Sequence, residues 1–217
     1  MIKYEKLNFK KENVWLMSDP HFHHKNICKG VSEWKDSPSR DFKDEIEMTN
    51  IIIDNINKCV KEDDLLICLG DWSFNGIDKV SLSRTRIKCK NIFLVFGNHD
   101  QNIINNSVCP VEIPSHLLQV YFTRCGHVMY LEVDNIRMFL SHYPHYVWHQ
   151  GHHNVFHFYG HCHSSIEEQV KGKMMDVGVD NAFKLLGEYK PFNLKELEII
   201  MEGKEKFCPD HHQENTN

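Results

Sequence analysis

Three short apolar runs punctuate the first hundred positions, at 14–17, 65–69 and 92–96. None of them alternates with polar residues, which is the pattern of strands buried on both faces. Each stops at a residue able to bind a cation: Ser18-Asp19, Gly70-Asp71 and Gly97-Asn98. Between the first two, positions 42–60 carry Phe42, Ile46, Ile53 and Ile56 at helical spacing, with Met48 and Ile52 nearby. A second, more basic helix is predicted over 79–90. Strand, helix, strand, helix, strand is the order of parallel crossover units.

The second half changes character. Short strands are predicted at 117–122, 128–133, 136–140, 154–159 and 174–179, with Asp134-Asn135 as a hairpin turn. A closing helix is predicted over 194–201. The whole implies a layered α/β fold of two packed sheets with helices outside, in one domain over 1–203. The polar stretch 204–217 reads as a loosely held tail.

Composition narrows the function. Hydrophobic residues make up 41% and charged residues 25% of the 217 positions, as in ordinary globular domains. A net charge of -5 disfavours a sequence-blind grip on nucleic acid, which needs a basic footprint. No apolar run approaches the ~18 residues of a membrane span, and positions 1–13 are charged rather than leader-like. The eight cysteines form no C-x-x-C pair, and Cys59, Cys68, Cys89 and Cys125 sit in or beside apolar stretches. Buried free thiols in a cytoplasmic protein are therefore expected. Histidine is the outlier: eight of the sixteen fall between His142 and His163.

Five motifs collect the candidate chemistry: Asp19-Pro20-His21, Gly70-Asp71, Gly97-Asn98-His99-Asp100, Ser141-His142 and Gly160-His161-Cys162-His163. Two divalent metals ~3.5–4 Å apart need a bridging carboxylate flanked by imidazole, amide and carboxylate ligands. Asp71, ending the second strand beside the first, is the natural bridge. His161 and His163 share one face if the backbone there is extended. Nitrogen and oxygen ligands without thiolate favour Mn, Fe, Zn, Co or Ni.

In that order the motifs resemble the calcineurin-like metallophosphoesterases, whose pattern is D-x-H, G-D, G-N-H-[DE], H and G-H-x-H. The likeness runs from Asp19 to His163. It implies a four-layer αββα sandwich, two mixed sheets flanked by helices, holding two divalent ions: Mn2+ first, with Fe/Zn or Ni as alternatives. It implies one ion on Asp19, His21, Asp71 and His163, and the other on Asp71, Asn98, His142 and His161. It further implies attack on phosphorus by a metal-bound hydroxide, with His99 as general acid or transition-state stabiliser and Asp100 orienting its ring. The stretch Ser18-Asp19-Pro20-His21-Phe22-His23-His24-Lys25-Asn26-Ile27 resembles a narrower branch of small bacterial and phage phosphoesterases. Gly70-Asp71-Trp72-Ser73-Phe74, His142-Tyr143-Pro144 and Asp176-Val177-Gly178-Val179-Asp180 fit that branch too. This likeness makes His24, Asn26 and Arg40 candidate substrate contacts.

Departures count as well. Protein Ser/Thr phosphatases of the superfamily carry G-D-x-x-D-R, whereas here Trp72, Ser73, Phe74 and Asn75 follow Asp71. The missing arginine clamp for a phosphomonoester dianion favours a phosphodiester, with a small or nucleotide-like substrate. A phosphomonoesterase and a nuclease are the alternatives within this chemistry. A non-catalytic metal-binding scaffold is the alternative outside it, and the intact ligand set and His99 speak against it. Trp34, Tyr143, Tyr146 and Trp148 are candidate base-stacking groups, with packing the commoner role.

Overall fold

A computed structural model describes residues 2–33, 40–105, 121–207 and 209. The three apolar runs become β2 (Val14–Met17), β3 (Leu65–Cys68) and β4 (Asn91–Val95), hydrogen-bonded in parallel in that order. Edge strands β10 (Phe192–Asn193), antiparallel to β2, and β5 (Arg124–Gly126) complete a five-stranded sheet. The second sheet runs β1 (Glu5–Lys6), β6 (Val128–Val133), β7 (Ile136–Ser141), β8 (Phe156–Tyr159) and β9 (Met174–Asp176). Both sheets are mixed.

The strand pleat explains why the three runs are continuously apolar. Val14, Leu16, Leu65, Ile67, Phe93 and Val95 face the second sheet, packing on Leu131, Met138, Leu140, Phe156 and Phe158. Their neighbours Met17, Leu66, Cys68, Ile92 and Leu94 face the other way, onto the helical layer. That layer is led by α1 (Glu45–Cys59), which buries Met48, Ile52, Ile53 and Ile56, and by α2 (Ile77–Arg86). Asp44 caps α1 by accepting from Glu47 N, so the helix begins three residues after Phe42. A five-residue α3 (Gln101–Asn105) follows the third motif.

The fourth layer differs from the expectation. The outer face of the second sheet, with Phe139, Tyr159 and Met174, packs on Trp148, Val155, Cys162, Ile166 and Val170. Among the described residues these come from irregular chain whose regular structure is one short 3-10 turn, Gly151–His153. The remaining helices, α4 (Val179–Leu186) and α5 (Leu194–Glu202), instead send Ala182, Leu194, Leu197 and Met201 into the core between the sheets. The strand predicted over 174–179 stops at Asp176, and Val179 starts α4. Of the strand predicted at 117–122, positions 117–120 lie outside the described residues, and Tyr121 and Phe122 are not in a strand. Trp34, His211 and His212 also lie outside them. Cys28, Cys59, Cys68, Cys89 and Cys162 are free, but Cys125 is disulfide-bonded, against expectation. No helix among the described residues is long and apolar enough to cross a membrane.

His157 shows why several histidines of the 142–163 stretch are structural. It is fully buried; its Nδ1 lies 3.2 Å from Phe139 O, and its Nε2 accepts from His145 N at 2.9 Å. One nitrogen donates and the other accepts, so the ring is neutral, and burial pushes its pKa down to about 3. As pH falls below the free value of ~6.5, the unfolded chain takes up the proton first, and stability drops by up to ~1.4 kcal/mol per pH unit until the folded value is reached. His157→Gln should therefore flatten the acid limb of thermal midpoints measured from pH ~7 to ~4. Identical limbs would assign the acid sensitivity to other groups.

Candidate metal centre

Every one of the five motifs follows a strand directly: β2, β3, β4, β7 and β8. In the first sheet these are the carboxyl ends of parallel strands, the edge where open α/β sheets bind ligands. The loops are stitched to one another by backbone bonds: Asp19 N to Gly70 O at 3.0 Å, His21 N to Asp71 O at 3.1 Å and Gly160 N to His142 O at 2.9 Å. His161 N donates to Asp19 Oδ2 at 2.9 Å, tying the last motif to the first.

Glycine is required in two of the motifs because the loops touch. A Cβ on Gly160 would lie 1.9 Å from Ser18 Oγ and 2.4 Å from Asp19 Oδ2, and one on Gly97 would lie 2.2 Å from Asp71 Oδ1. The ligand candidates themselves take the opposite role. Asp19, His21, Asp71, His161 and His163 all hold positive φ, from 47° to 66°, a conformation that costs non-glycine residues about 1–3 kcal/mol. Such strain persists where surrounding bonds over-determine it, and here it turns five side chains toward one point. His161 and His163 are therefore not on an extended strand, and they diverge. His161 Nδ1 faces Asn98 Oδ1 at 3.0 Å, whereas His163 Nε2 faces Asp19 Oδ1 at 3.8 Å.

The converging atoms are unsuited to one another without a cation. Asp71 Oδ2 stands 3.6 Å from His21 Nε2 on one side and 3.6 Å from His142 Nε2 on the other. His142 Nδ1 lies 2.7 Å from Leu69 O, which makes it the donor nitrogen and leaves Nε2 a lone pair. That lone pair faces another acceptor, Asn98 Oδ1, at 3.0 Å. Asp19 Oδ1 and both ring nitrogens of His21 are buried without a hydrogen-bond partner. Neighbouring ligands on an ion with bonds of ~2.1 Å stand roughly 3.0–3.5 Å apart, close to the spacings found. Asp19, His21 and His163 form one group able to hold a metal ion, and Asp19, Asp71 and His142 a second.

Electrostatics point the same way. Burial first, and then the charge of Asp19, push the Asp71 carboxyl up to about 7. Burial pushes His21 down to about 3. For Asp19 burial acts upward, but His21, His163 and His142 around it hold its carboxyl well below the usual range. Two adjacent buried carboxylates, one of which resists ionisation, form a place where a cation would be favoured.

Exposure differs among these side chains. Asp19, His21, Asp71 and His142 are buried, His163 is partly exposed, and Asn98, His99 and His161 are exposed. His99 donates its backbone N–H to Asp71 Oδ1 at 2.9 Å, and its ring rests on Phe74, with centroids 4.5 Å apart. Tyr143, half exposed, donates to Asn98 Oδ1 at 3.3 Å and leans on His161. A cavity of about 360 Å³ flanks these loops, lined by Pro144, His145, Tyr146, Ile166, Val170 and Phe207 among others.

Two expected roles change, those of Arg40 and Asp100. Arg40 does not reach substrate: it is fully buried, bound to Asp180 and to the carbonyls of Asp19 and Pro20. Asp100 does not orient the His99 ring. Its oxygens accept from the backbone of Asp71, Trp72 and Gly97 at 2.8–2.9 Å, so it locks the second motif to the third. Asn26 Oδ1 accepts from Glu33 N, closing a local turn. His24 is buried flat against Phe74, centroids 3.6 Å apart, which makes it a wall of the site. Two residues that sequence reasoning left without a role belong to the centre. Asp180 contacts His163 Nδ1 at 2.6 Å. Asp176 accepts from Ser164 N and Gly178 N and so anchors the loop after His163. Both lie in the Asp176-Val177-Gly178-Val179-Asp180 stretch, where the two carboxylates four positions apart were the available signal.

No family model matches the chain. An uncharacterized protein of Methanocaldococcus jannaschii is 33% identical over 90 residues, 41% of this chain and 47% of that protein, so the chain spans about half the length of this relative. The crystal structure of a protein of unknown function from Aquifex aeolicus superposes with a TM-score of 0.62 at 22% identity, covering 86% of this chain and 98% of that one. The second likeness shows a shared fold.

Proposed function

We propose that the protein is a dinuclear metal-dependent phosphoesterase of calcineurin-like type that hydrolyses phosphodiesters. The observation that carries this reading is Asp71 Oδ2, equidistant at 3.6 Å from an imidazole of each half. A carboxylate oxygen placed between imidazoles of two side-chain groups would suit two neighbouring cations. Asp19, His21, Asp71 and His163 would hold one ion, and Asp71, Asn98, His142 and His161 the other. Divalent ions there supply Lewis acidity toward a phosphoryl group and lower the pKa of attacking water.

The chain's own residues supply the rest. His99, exposed beside Asp71 and carrying no assigned ligand duty, is placed to protonate or hydrogen-bond the leaving oxygen. Asp100 keeps the Asp71 and Gly97 turns in register. Burial of Arg40 leaves no guanidinium from that position for a phosphomonoester dianion, which supports a singly charged diester.

The test is hydrolysis of bis-p-nitrophenyl phosphate against p-nitrophenyl phosphate by protein stripped with chelator and reloaded with Mn2+. Turnover of the diester that disappears on stripping and returns on reloading is expected. Faster turnover of the monoester would move the assignment to a phosphomonoesterase, and two bound ions with neither activity would favour the scaffold reading.

A further inference from the structure

The group Asp19, His21 and His163 rests on a single buried side chain, Arg40. Arg40 enters through a short segment whose backbone pairs with 27–30, Arg40 N donating to Ile27 O and Lys29 N to Arg40 O. Its guanidinium then makes a two-pronged contact with Asp180, Nε to Oδ1 at 2.9 Å and Nη2 to Oδ2 at 2.7 Å. The same group donates to Pro20 O at 2.8 Å and Asp19 O at 2.5 Å. Those carbonyls belong to the turn in which Asp19 and His21 hold positive φ. Asp180 Oδ2 meanwhile reaches His163 Nδ1 at 2.6 Å, leaving Nε2 of that ring to face Asp19.

We infer that the Arg40–Asp180 pair is a positioning clamp that sets the affinity of one ion position, framed by Asp19, His21 and His163, and leaves the other unaffected. The inference rests on the two-metal reading above. Three of the four residues at the first position hang on one guanidinium: Asp19 and His21 through their turn, His163 through Asp180. At the second position, His142 is oriented by a neutral carbonyl, Leu69 O, and Asn98 and His161 are exposed. A carboxylate behind a ligating imidazole fixes its tautomer and raises its basicity, and losing it typically weakens metal binding by 10–100-fold. Fold stability is a weak reason to bury a guanidinium and a carboxylate, since apolar residues of similar size often serve as well. Arranging ligands is a stronger one.

The experiment is a calorimetric titration of the chelator-stripped full chain with Mn2+. Two steps are expected for the native protein, the tighter at the position that Arg40 and Asp180 brace. Asp180→Asn should weaken the tighter step by about 10–100-fold and leave the other within about threefold, with a lower thermal midpoint in chelator because the buried Arg40 loses its counter-charge. Asn98→Ala should weaken the other step alone, which assigns the two. Equal weakening of both steps by Asp180→Asn, or of neither, overturns the clamp. Uptake of fewer than two ions by the native chain overturns the two-metal reading itself. If Asp180→Asn does not fold, the pair R40M/D180N removes both charges together, leaving no buried ion unpaired, and the same outcomes decide.

Discussion

Replacing Asp71 by asparagine is expected to lower turnover on the order of a thousandfold or more while leaving the metal-free protein at least as stable as the native one. The loss of rate follows from charge. An ion pair that contributes several kcal/mol to the transition state contributes a factor of ten for every ~1.4 kcal/mol. An amide in place of the bridging carboxylate cannot hold two dications against their mutual repulsion. The stability effect has the opposite sign. Without metal, burial first and the charge of Asp19 second push the folded Asp71 carboxyl up to about 7, above its ordinary value. The folded state therefore binds more protons than the unfolded one between those values, and stability falls as pH rises through that window. Asparagine removes this unfavourable ionisation and keeps the acceptor for His99 N. In chelator at pH ~8, Asp71→Asn should melt no lower than the native chain, while added Mn2+ should raise the native midpoint far more than that of the variant. A variant that binds two ions and turns over normally would remove Asp71 from the bridge.

His99→Gln should reduce turnover by roughly 10²–10⁴-fold with metal content unchanged. The ring is exposed at the mouth of the centre, its backbone is pinned to Asp71, and Phe74 supports its face. Burial lowers its pKa, so near neutrality it is mostly the neutral hydrogen-bonding form. Protonation of the leaving oxygen matters least when that oxygen departs as a stable phenolate. A p-nitrophenyl diester should therefore lose less rate on substitution than an alkyl or unsubstituted phenyl diester. Equal losses across leaving groups would assign His99 to charge stabilisation rather than proton transfer. Loss of bound metal in the variant would make it a ligand after all.

Much of the centre was legible in the chain because its chemistry is local. A buried parallel strand must be apolar on both faces, so its end is marked where polarity returns, and Asp19, Asp71 and Asn98 stand at those marks. Gly70, Gly97 and Gly160 mark the close approaches between loops for the same reason. What could not be read is what depends on partners far apart in sequence. Arg40 carried the charge of a phosphate-binding residue, and only its burial against Asp180, 140 positions away, makes it a support. Asp100 sits beside His99, yet its oxygens go to Gly97, Asp71 and Trp72. Helix ends slipped by a few residues because capping by Asp44, rather than the apolar spacing, fixed the start of α1.

By itself, the sequence determined the layered α/β class, the strands that carry the motifs and the residue types gathered at their ends, because periodicity, burial and ligand chemistry are written residue by residue. Tertiary structure alone decided that His161 and His163 diverge, that His21 and His142 are buried while Asn98 and His161 are exposed, and that Arg40 is buried against Asp180 and the Asp19 turn. Backbone strain, desolvation and hydrogen-bond partnership are properties of the assembled loops, and no single stretch of the chain contains them.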